Sequence, residues 1–306
     1  MKKDKKNNNR SYNVLVTGGA GFLGSHVADA ITYSGHNVTI FDIVESPFLR
    51  DNQRMIVGDI LNLKELDKAM DGIDIVFHLA ALSNIDLADD KPYDTMEINV
   101  LGTTNLLSSA KLYNIKRVIF ASSIYVNSRT GSFYRVSKHA CELLLEAYYE
   151  RYGLSYSILR FGTLYGPRAD ETNSINRYLK EAINKGEINY YGTGDEVREF
   201  IHVSDAARIC VEVINRKYNG ETLILTGHQQ MKLRELLSVI NEILGNRIKI
   251  IYHKNKSRAH YNQTPYSYIP NVGKKIISKT YCDIGQSLVE ILDELNPNEN
   301  NNNIEI

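Results

Sequence analysis

The segment Val14-Leu-Val-Thr-Gly-Gly-Ala-Gly-Phe-Leu-Gly-Ser25 runs from an apolar strand into a cluster of glycines and then into a helical pattern. Gly18, Gly21 and Gly24 fall at every third position, and Gly19, Gly21 and Gly24 also spell G-x-G-x-x-G. A turn of this kind needs glycine for positive φ at its start and for close approach of the backbone to a pyrophosphate at Gly21. Gly24 lets the following helix sit tightly on the sheet, and the unpaired N–H groups of that helix face an anion. A glycine pattern alone is weak evidence. Its context here is strand, glycines, helix (22–34) and second strand (37–41) ending at Asp42, where an acidic residue is expected to hold the ribose hydroxyls of a dinucleotide.

That unit opens a longer alternation. Strands are predicted at 13–17, 38–41, 55–57, 75–78, 117–121, 155–160 and 222–225, with helices at 22–34, 63–70, 95–113, 134–152 and 204–216 between them. Short apolar strands alternating with helices specify an α/β fold with a doubly wound parallel sheet, of seven strands on this count, covered on both faces. Beyond Thr226 the rhythm changes to a helix (233–244), a strand (248–252), a basic irregular stretch and a last helix (284–295). The dinucleotide-binding domain is therefore expected at 12–167 and 195–227. A smaller C-terminal substrate-binding lobe takes 168–194, with a helical middle at 175–185, and 228–295. The polar, Asn-rich ends 1–11 and 296–306 read as disordered tails.

Composition excludes several classes. Lys+Arg and Asp+Glu number 36 each, so no global charge argues for nucleic acid or a membrane surface as a partner. The cysteines Cys141, Cys210 and Cys282 are far apart and form no C-x-x-C pair, which fits reduced thiols in a cytoplasmic protein with neither a disulfide frame nor a metal site. No apolar run approaches the ~20 residues of a membrane helix. The basic start lacks the apolar core of a secretion signal, since the glycine turn comes directly after it.

In open α/β sheets, ligands gather at the carboxyl ends of the strands. Reading those ends in order gives the glycines, Asp42, then Asp59-Ile60, whose acid is placed to accept from an adenine amino group. His78-Leu79-Ala80-Ala81 supplies small residues against which a cofactor can lie. Ala121-Ser122-Ser123 ends the fifth strand, and Tyr134-x-x-x-Lys138 comes soon after. At i and i+4 the tyrosine and lysine share one helical face. A free tyrosine is a poor base at neutral pH, but an ammonium and an oxidised nicotinamide beside it favour the phenolate.

These residues resemble the extended short-chain dehydrogenase/reductase family, in its nucleotide-sugar epimerase/dehydratase branch. The resemblance covers nearly all of 12–295. It rests on 17–24, Asp59-Ile60, 78–81, the run from Asn99 to Leu107, Ser122-Ser123, Tyr134-x-x-x-Lys138, Tyr165-Gly-Pro-Arg168, and Arg198-Glu-Phe-Ile-His-Val-Ser-Asp205. It implies NAD as cofactor, held by Gly18, Gly21, Phe22, Leu23, Gly24, Asp42, Asp59, Ile60, Leu79, Ala80, Ala81, Asn99, Ala121, Tyr134, Lys138 and Phe161. It implies Tyr134 as general acid/base on a sugar hydroxyl, Lys138 on the nicotinamide ribose and Ser123 on the reacting oxygen. Thr163, Arg198 and Arg258 join Ser123 on the nucleotide-sugar substrate, the arginines as a fork for the diphosphate. Three departures stand out. The stretch between Ser123 and Tyr134 is short, Thr163 replaces the usual Asn, and 261–275 replaces the usual acidic segment.

The reaction is read by elimination within that branch. A 4,6-dehydratase resembles this scheme with an Asp-Glu pair directly after the Ser/Thr, and a decarboxylase with a Glu there. Ile124-Tyr125 occupy those places. What remains is 4-epimerisation through a transient 4-keto sugar, with simple sugar oxidation or ketone reduction as the alternative. A non-catalytic dinucleotide sensor is a further alternative, and the intact Ser123, Tyr134 and Lys138 argue against it. Asp42 followed by Ile43 and Val44 disfavours the 2′-phosphate of NADP. Consecutive leucines 143–145 on the second of two long helices (95–113 and 134–152) cover more than one face, so a homodimer through those helices is expected.

Overall fold

A computed structural model describes residues 11–128, 130–228, 230–254 and 274–296. The chain opens with β1 (Asn13–Thr17), α1 (Phe22–Tyr33), β2 (Asn37–Asp42), β3 (Gln53–Val57), α2 (Leu63–Met70) and β4 (Ile75–His78). Short helices α3 (Ile85–Asp90) and α4 (Pro92–Met96) lead through a π turn (Glu97–Leu101) into α5 (Gly102–Leu112). Then come β5 (Arg117–Ser123), α6 (Ser132–Tyr152), β6 (Tyr156–Phe161), β7 (Thr163–Tyr165), α7 (Ser174–Lys185), β8 (Glu187–Tyr191), β9 (Val197–His202), α8 (Val203–Val213) and β10 (Thr222–Leu225). The described chain closes with β11 (Gln230–Lys232), α9 (Leu233–Ile243), β12 (Lys249–His253), β13 (Lys274–Ile276) and α10 (Ile284–Leu295).

The main sheet has the order β13-β10-β6-β5-β4-β1-β2-β3, and its paired strands run parallel. Its central strands are mostly apolar, as strands covered on both faces must be, and β4 and β5 are buried throughout. One face packs on α1 and α8 through Val27, Ile31, Ala206 and Val213, the other on α2, α5 and α6 through Leu66, Leu106 and Leu145. The chain leaves β1 for β2 and β3 on one side and returns to β4 on the other, so a crevice opens between the ends of β1 and β4.

The sheet has eight strands, one more than the sequence pattern predicts. The addition is β13, which pairs Leu223 with Lys274 at the edge and comes from the stretch assigned on sequence to the smaller lobe. A strand of three residues with two lysines carries no apolar alternation to read, and edge strands favour such residues. Three further strands form a small sheet β11-β9-β7, and β12 pairs with β8. A third core lies among α7, α9, α10 and β8, built from Ile175, Leu179, Ile188, Leu236, Ile240 and Leu288.

The long helix expected at 95–113 is present from Pro92 to Leu112 but is not regular throughout. Pro92 starts one piece, and the π turn centred on Asn99 inserts an extra residue before Gly102. A Cβ on Gly102 would stand 2.5 Å from Ile60 Cδ1, so the small residue lets this helix approach the end of β3. No described helix is long and apolar enough to cross a membrane.

Candidate active site

The floor of the crevice is backbone. Gly18 adopts φ +71°, and a Cβ there would lie 2.6 Å from Ala80 N. A Cβ on Gly24 would come within 2.0 Å of Gly18 O, which is why the helix can sit on the turn only with glycine. No side chain caps the first turn of α1, whose residues Gly21, Phe22, Leu23 and Gly24 line the cavity. An uncapped helix N-terminus under a glycine turn suits a pyrophosphate, so these residues fit a dinucleotide.

The strand ends continue this wall in a cavity of about 1270 Å³. Asp42, Asp59 and Ile60 line its far end, and Leu79, Ala80, Ala81, Ala121 and Phe161 its middle. One Asp42 oxygen accepts from Ala20 N at 3.0 Å, tying the acid to the glycine turn. Asp59 Oδ1 accepts from Leu61 N at 2.9 Å and its own N–H donates to Glu65, so a structural turn accompanies any contact with adenine. Asn99 is different: it is 2% exposed and is not among the lining residues. Its carboxamide accepts from Leu82 N at 2.7 Å and donates to Leu82 O and to Ser137 Oγ. The sequence placed it on the cofactor; the structure places it behind the strap after Ala81, which it holds in position.

Ser123, Tyr134 and Lys138 converge on the cavity. Ser123 is the last residue of β5, so its side chain emerges where the sheet stops, and it caps the adjoining short 3₁₀ turn by accepting from Tyr125 N at 3.3 Å. Its side chain also acts on the Tyr134 phenol. Burial pushes the Tyr134 pKa up to about 12, and the Ser123 contact acts against that rise. Lys138 Nζ donates to Ala121 O at 2.9 Å and lies 4.8 Å from the centroid of the Phe120 ring and 5.9 Å from that of Tyr134. Burial lowers its pKa to about 8, with Cys141 and Glu142 acting the other way. Below them His78 is held between Thr17 and Thr103 hydroxyls, at 2.8 and 3.0 Å. Burial, then the Lys138 charge, push its pKa down to about 3, so it is a neutral support. Without a ligand the phenol is protonated. A positive charge brought against it is what makes a phenolate accessible.

The opposite wall comes from side chains of β7, α7, β8 and β9. Thr163 and Arg198, both expected, are on it. Arg198 Nη1 donates to Val197 O at 2.9 Å. Arg177, Tyr178, Tyr190 and Glu196 also line it, and sequence reading missed them. The signal was present in Tyr190-Tyr-Gly-Thr-Gly-Asp-Glu196, a polar turn just before Arg198. The Glu196 carboxylate accepts from the Tyr190 hydroxyl at 2.7 Å and from Gly194 N at 2.8 Å, which fixes that turn. Arg258 lies outside the described residues. The short stretch after Ser123 forms the 3₁₀ turn 124–127, where Ile124 packs with Ile224 and Ile85, and the Tyr125 ring stands edge-on to Tyr134 at 6.5 Å.

The sequence profile of the NAD dependent epimerase/dehydratase family matches residues 14–225. The chain belongs to that family. A UDP-N-acetyl-alpha-D-glucosaminuronate decarboxylase of Bacillus cytotoxicus is 31% identical over 78% of this chain and 82% of its own length. A UDP-glucuronate 4-epimerase of Thermodesulfobacterium geofontis is 27% identical over 78% of this chain and 82% of its own. Among solved structures, MoeE5 in complex with UDP-glucose and NAD superposes with a TM-score of 0.81 at 28% identity, covering 93% of this chain and 99% of that one. The epimerase/dehydratase family is enzymatic and NAD-dependent, its members act on nucleotide sugars, and their net reactions differ.

Proposed function

We propose that this chain is an NAD-dependent nucleotide-sugar 4-epimerase in which Tyr134 is the acid/base. The observation that carries the reading is the composition of the turn after Ser123. The Ser123–Tyr134 contact and Lys138 are in place, while Ile124 is packed into apolar surroundings and Tyr125 offers only a phenol. That set can remove and return one hydroxyl proton, and the two positions directly after Ser123 carry no carboxyl group for elimination or decarboxylation. The glycine turn and Asp42 would hold NAD, which would supply the hydride acceptor and later the hydride donor. Ser123 holds the reacting oxygen, Tyr134 takes its proton, and Lys138 keeps positive charge beside the phenolate. Arg198 holds the diphosphate, with Arg258 as the second arm of the fork. That anchorage leaves the sugar free to turn over before the proton returns.

The test is a panel of UDP-, GDP-, CDP- and dTDP-sugars incubated with the protein and monitored by NMR. Interconversion of a 4-epimer pair supports the reading; accumulation of a ketone, or release of CO₂ or water, replaces it with the alternatives.

The protein is further proposed to work in the cytoplasm as a homodimer. Leu143, Tyr149 and Tyr152 on α6 are 55, 52 and 53% exposed, and Leu112 on α5 is 62% exposed, while Leu145 faces the core. Two copies joined through these helices bury that surface. Sedimentation of a monomer at micromolar concentration would overturn this.

A further inference from the structure

Directly behind the reacting pair lies an ion pair that the proton transfer does not use. Arg160 on β6 donates to Glu142 on α6 through two nitrogens, Nε to Oε1 at 2.9 Å and Nη2 to Oε2 at 2.6 Å. Both side chains are buried, Glu142 at 3% and Arg160 at 7% exposure. Ser122, next to Ser123, donates to the same Oε1 at 2.5 Å, and Arg160 Nη1 reaches Asn127 Oδ1 in the turn after Ser123 at 3.3 Å. The network therefore ties α6 to the ends of β5 and β6, and Ser122 pairs with Arg160 across the sheet. Glu142 comes four residues after Lys138, so the two lie one above the other on α6.

A buried charge pair of this kind costs desolvation and is not needed for stability, since well-packed apolar residues serve as well. Its retention beside a reaction centre calls for another role. Lys138 is surrounded by Tyr134, Cys141 and Glu142 from its own helix, by the Phe120 ring and Ala121 carbonyl of β5, and by neutral His78 of β4. Among these, Glu142 is the carboxylate that favours the ammonium. We propose that the Glu142–Arg160 pair is a positioning device for Lys138: Arg160 and Ser122 anchor the Glu142 carboxylate so that its charge stays one helical turn from the lysine and keeps it an ammonium. The inference rests on the reading of Tyr134 and Lys138 as the reacting pair.

The test observes Lys138 directly in the free protein, by NMR of its labelled side chain, with the signal assigned by its loss in Lys138→Met. In Glu142→Gln the titration midpoint is expected to fall by about one pH unit, because a negative charge is lost and Arg160 remains. Because Glu142→Gln orphans Arg160 and can compromise folding, the double variant Glu142→Leu/Arg160→Met carries the argument with the packing kept. Its midpoint is expected to fall in the same direction by less. Glu142→Asp keeps the charge and is expected to hold the midpoint near that of the native chain. NADH affinity, read by fluorescence, is expected to drop about two- to threefold at pH 8 in the double variant while staying nearly unchanged at pH 6.5. A midpoint unmoved in the double variant, or equal losses of NADH affinity at both pH values, would overturn the proposal. If Lys138→Met itself binds NADH normally, the reading of the reacting pair fails, and the titration arm still decides the role of Glu142.

Discussion

The two walls of the crevice are built by different means. The wall under the cofactor is backbone: a turn at Gly18, a helix start without a side-chain cap, and strand ends of small residues. The facing wall is side chains from β7, α7, β8 and β9, drawn from residues 163–202 and gathered beside a second small sheet. Backbone shape admits few substitutions, since an added methyl group meets main-chain atoms that have nowhere to go. Side-chain walls can be exchanged one residue at a time. The first wall therefore suits the NAD shared by the family, and on the function proposed above the second sets what is turned over.

Four substitutions probe that contrast, taken from the largest effect to the smallest. Tyr134→Phe sits between the walls and is expected to lower kcat by about 10²–10⁴-fold with NAD binding and melting temperature nearly unchanged, because the ring's packing is kept. Retention of more than about a tenth of native kcat would move the acid/base elsewhere, with Tyr125 the first residue to test. Gly24→Ala attacks the backbone wall. Its methyl would meet Gly18 O at 2.0 Å, so the turn must open, and a loss of about 3 kcal/mol in stability together with NAD binding is expected in a urea melt and a cofactor titration. Arg198→Ala attacks the side-chain wall and is expected to raise KM about tenfold with kcat little changed. If kcat falls instead, the contrast between the walls is wrong at this position. Asp42→Ala is expected to weaken NAD a few-fold and to narrow the preference over NADP, measured by competitive titration; unchanged NAD affinity would remove Asp42 from the ribose.

A pH series sharpens the comparison further. Lys138 is held down to about 8 by burial, so its charge is complete below that pH and lost above it. NAD affinity is therefore expected to fall as pH rises through about 8, whereas His78, held near 3, contributes nothing to the profile between neutral and mildly alkaline pH.

The same difference governs what the sequence discloses. Gly18, Gly24 and the alternation of strands and helices are local patterns whose physical cause sits in consecutive residues, so the doubly wound sheet and the cofactor wall were legible. Ser123 and Tyr134-x-x-x-Lys138 were legible for the same reason: strand end and helix face bring them together. Tyr190, Glu196 and Arg177 were not, because their place on the cavity depends on how β7–β9 cross beside the main sheet. Asn99 was read as a cofactor contact from its place in a motif, yet its polar groups are consumed by Leu82 and Ser137. Arg160 had a readable sign: a charge inside an apolar strand requires a buried partner of opposite sign, and Glu142 lies on the helix that packs there.

The extra residue at the π turn has a consequence for helix phase. Each residue advances a helix by about 100°, so one inserted residue rotates everything after it by that angle relative to what precedes. Residues before and after Asn99 therefore belong to two different stripes, and no single periodic pattern can be drawn from Thr95 to Leu112. Deleting one residue between Glu97 and Leu101 would restore a regular helix and turn Asn99 away from Leu82 or Thr103 away from His78. The bulge is a fixed gear offset that lets one helix answer to the strap above it and the sheet beneath it at once.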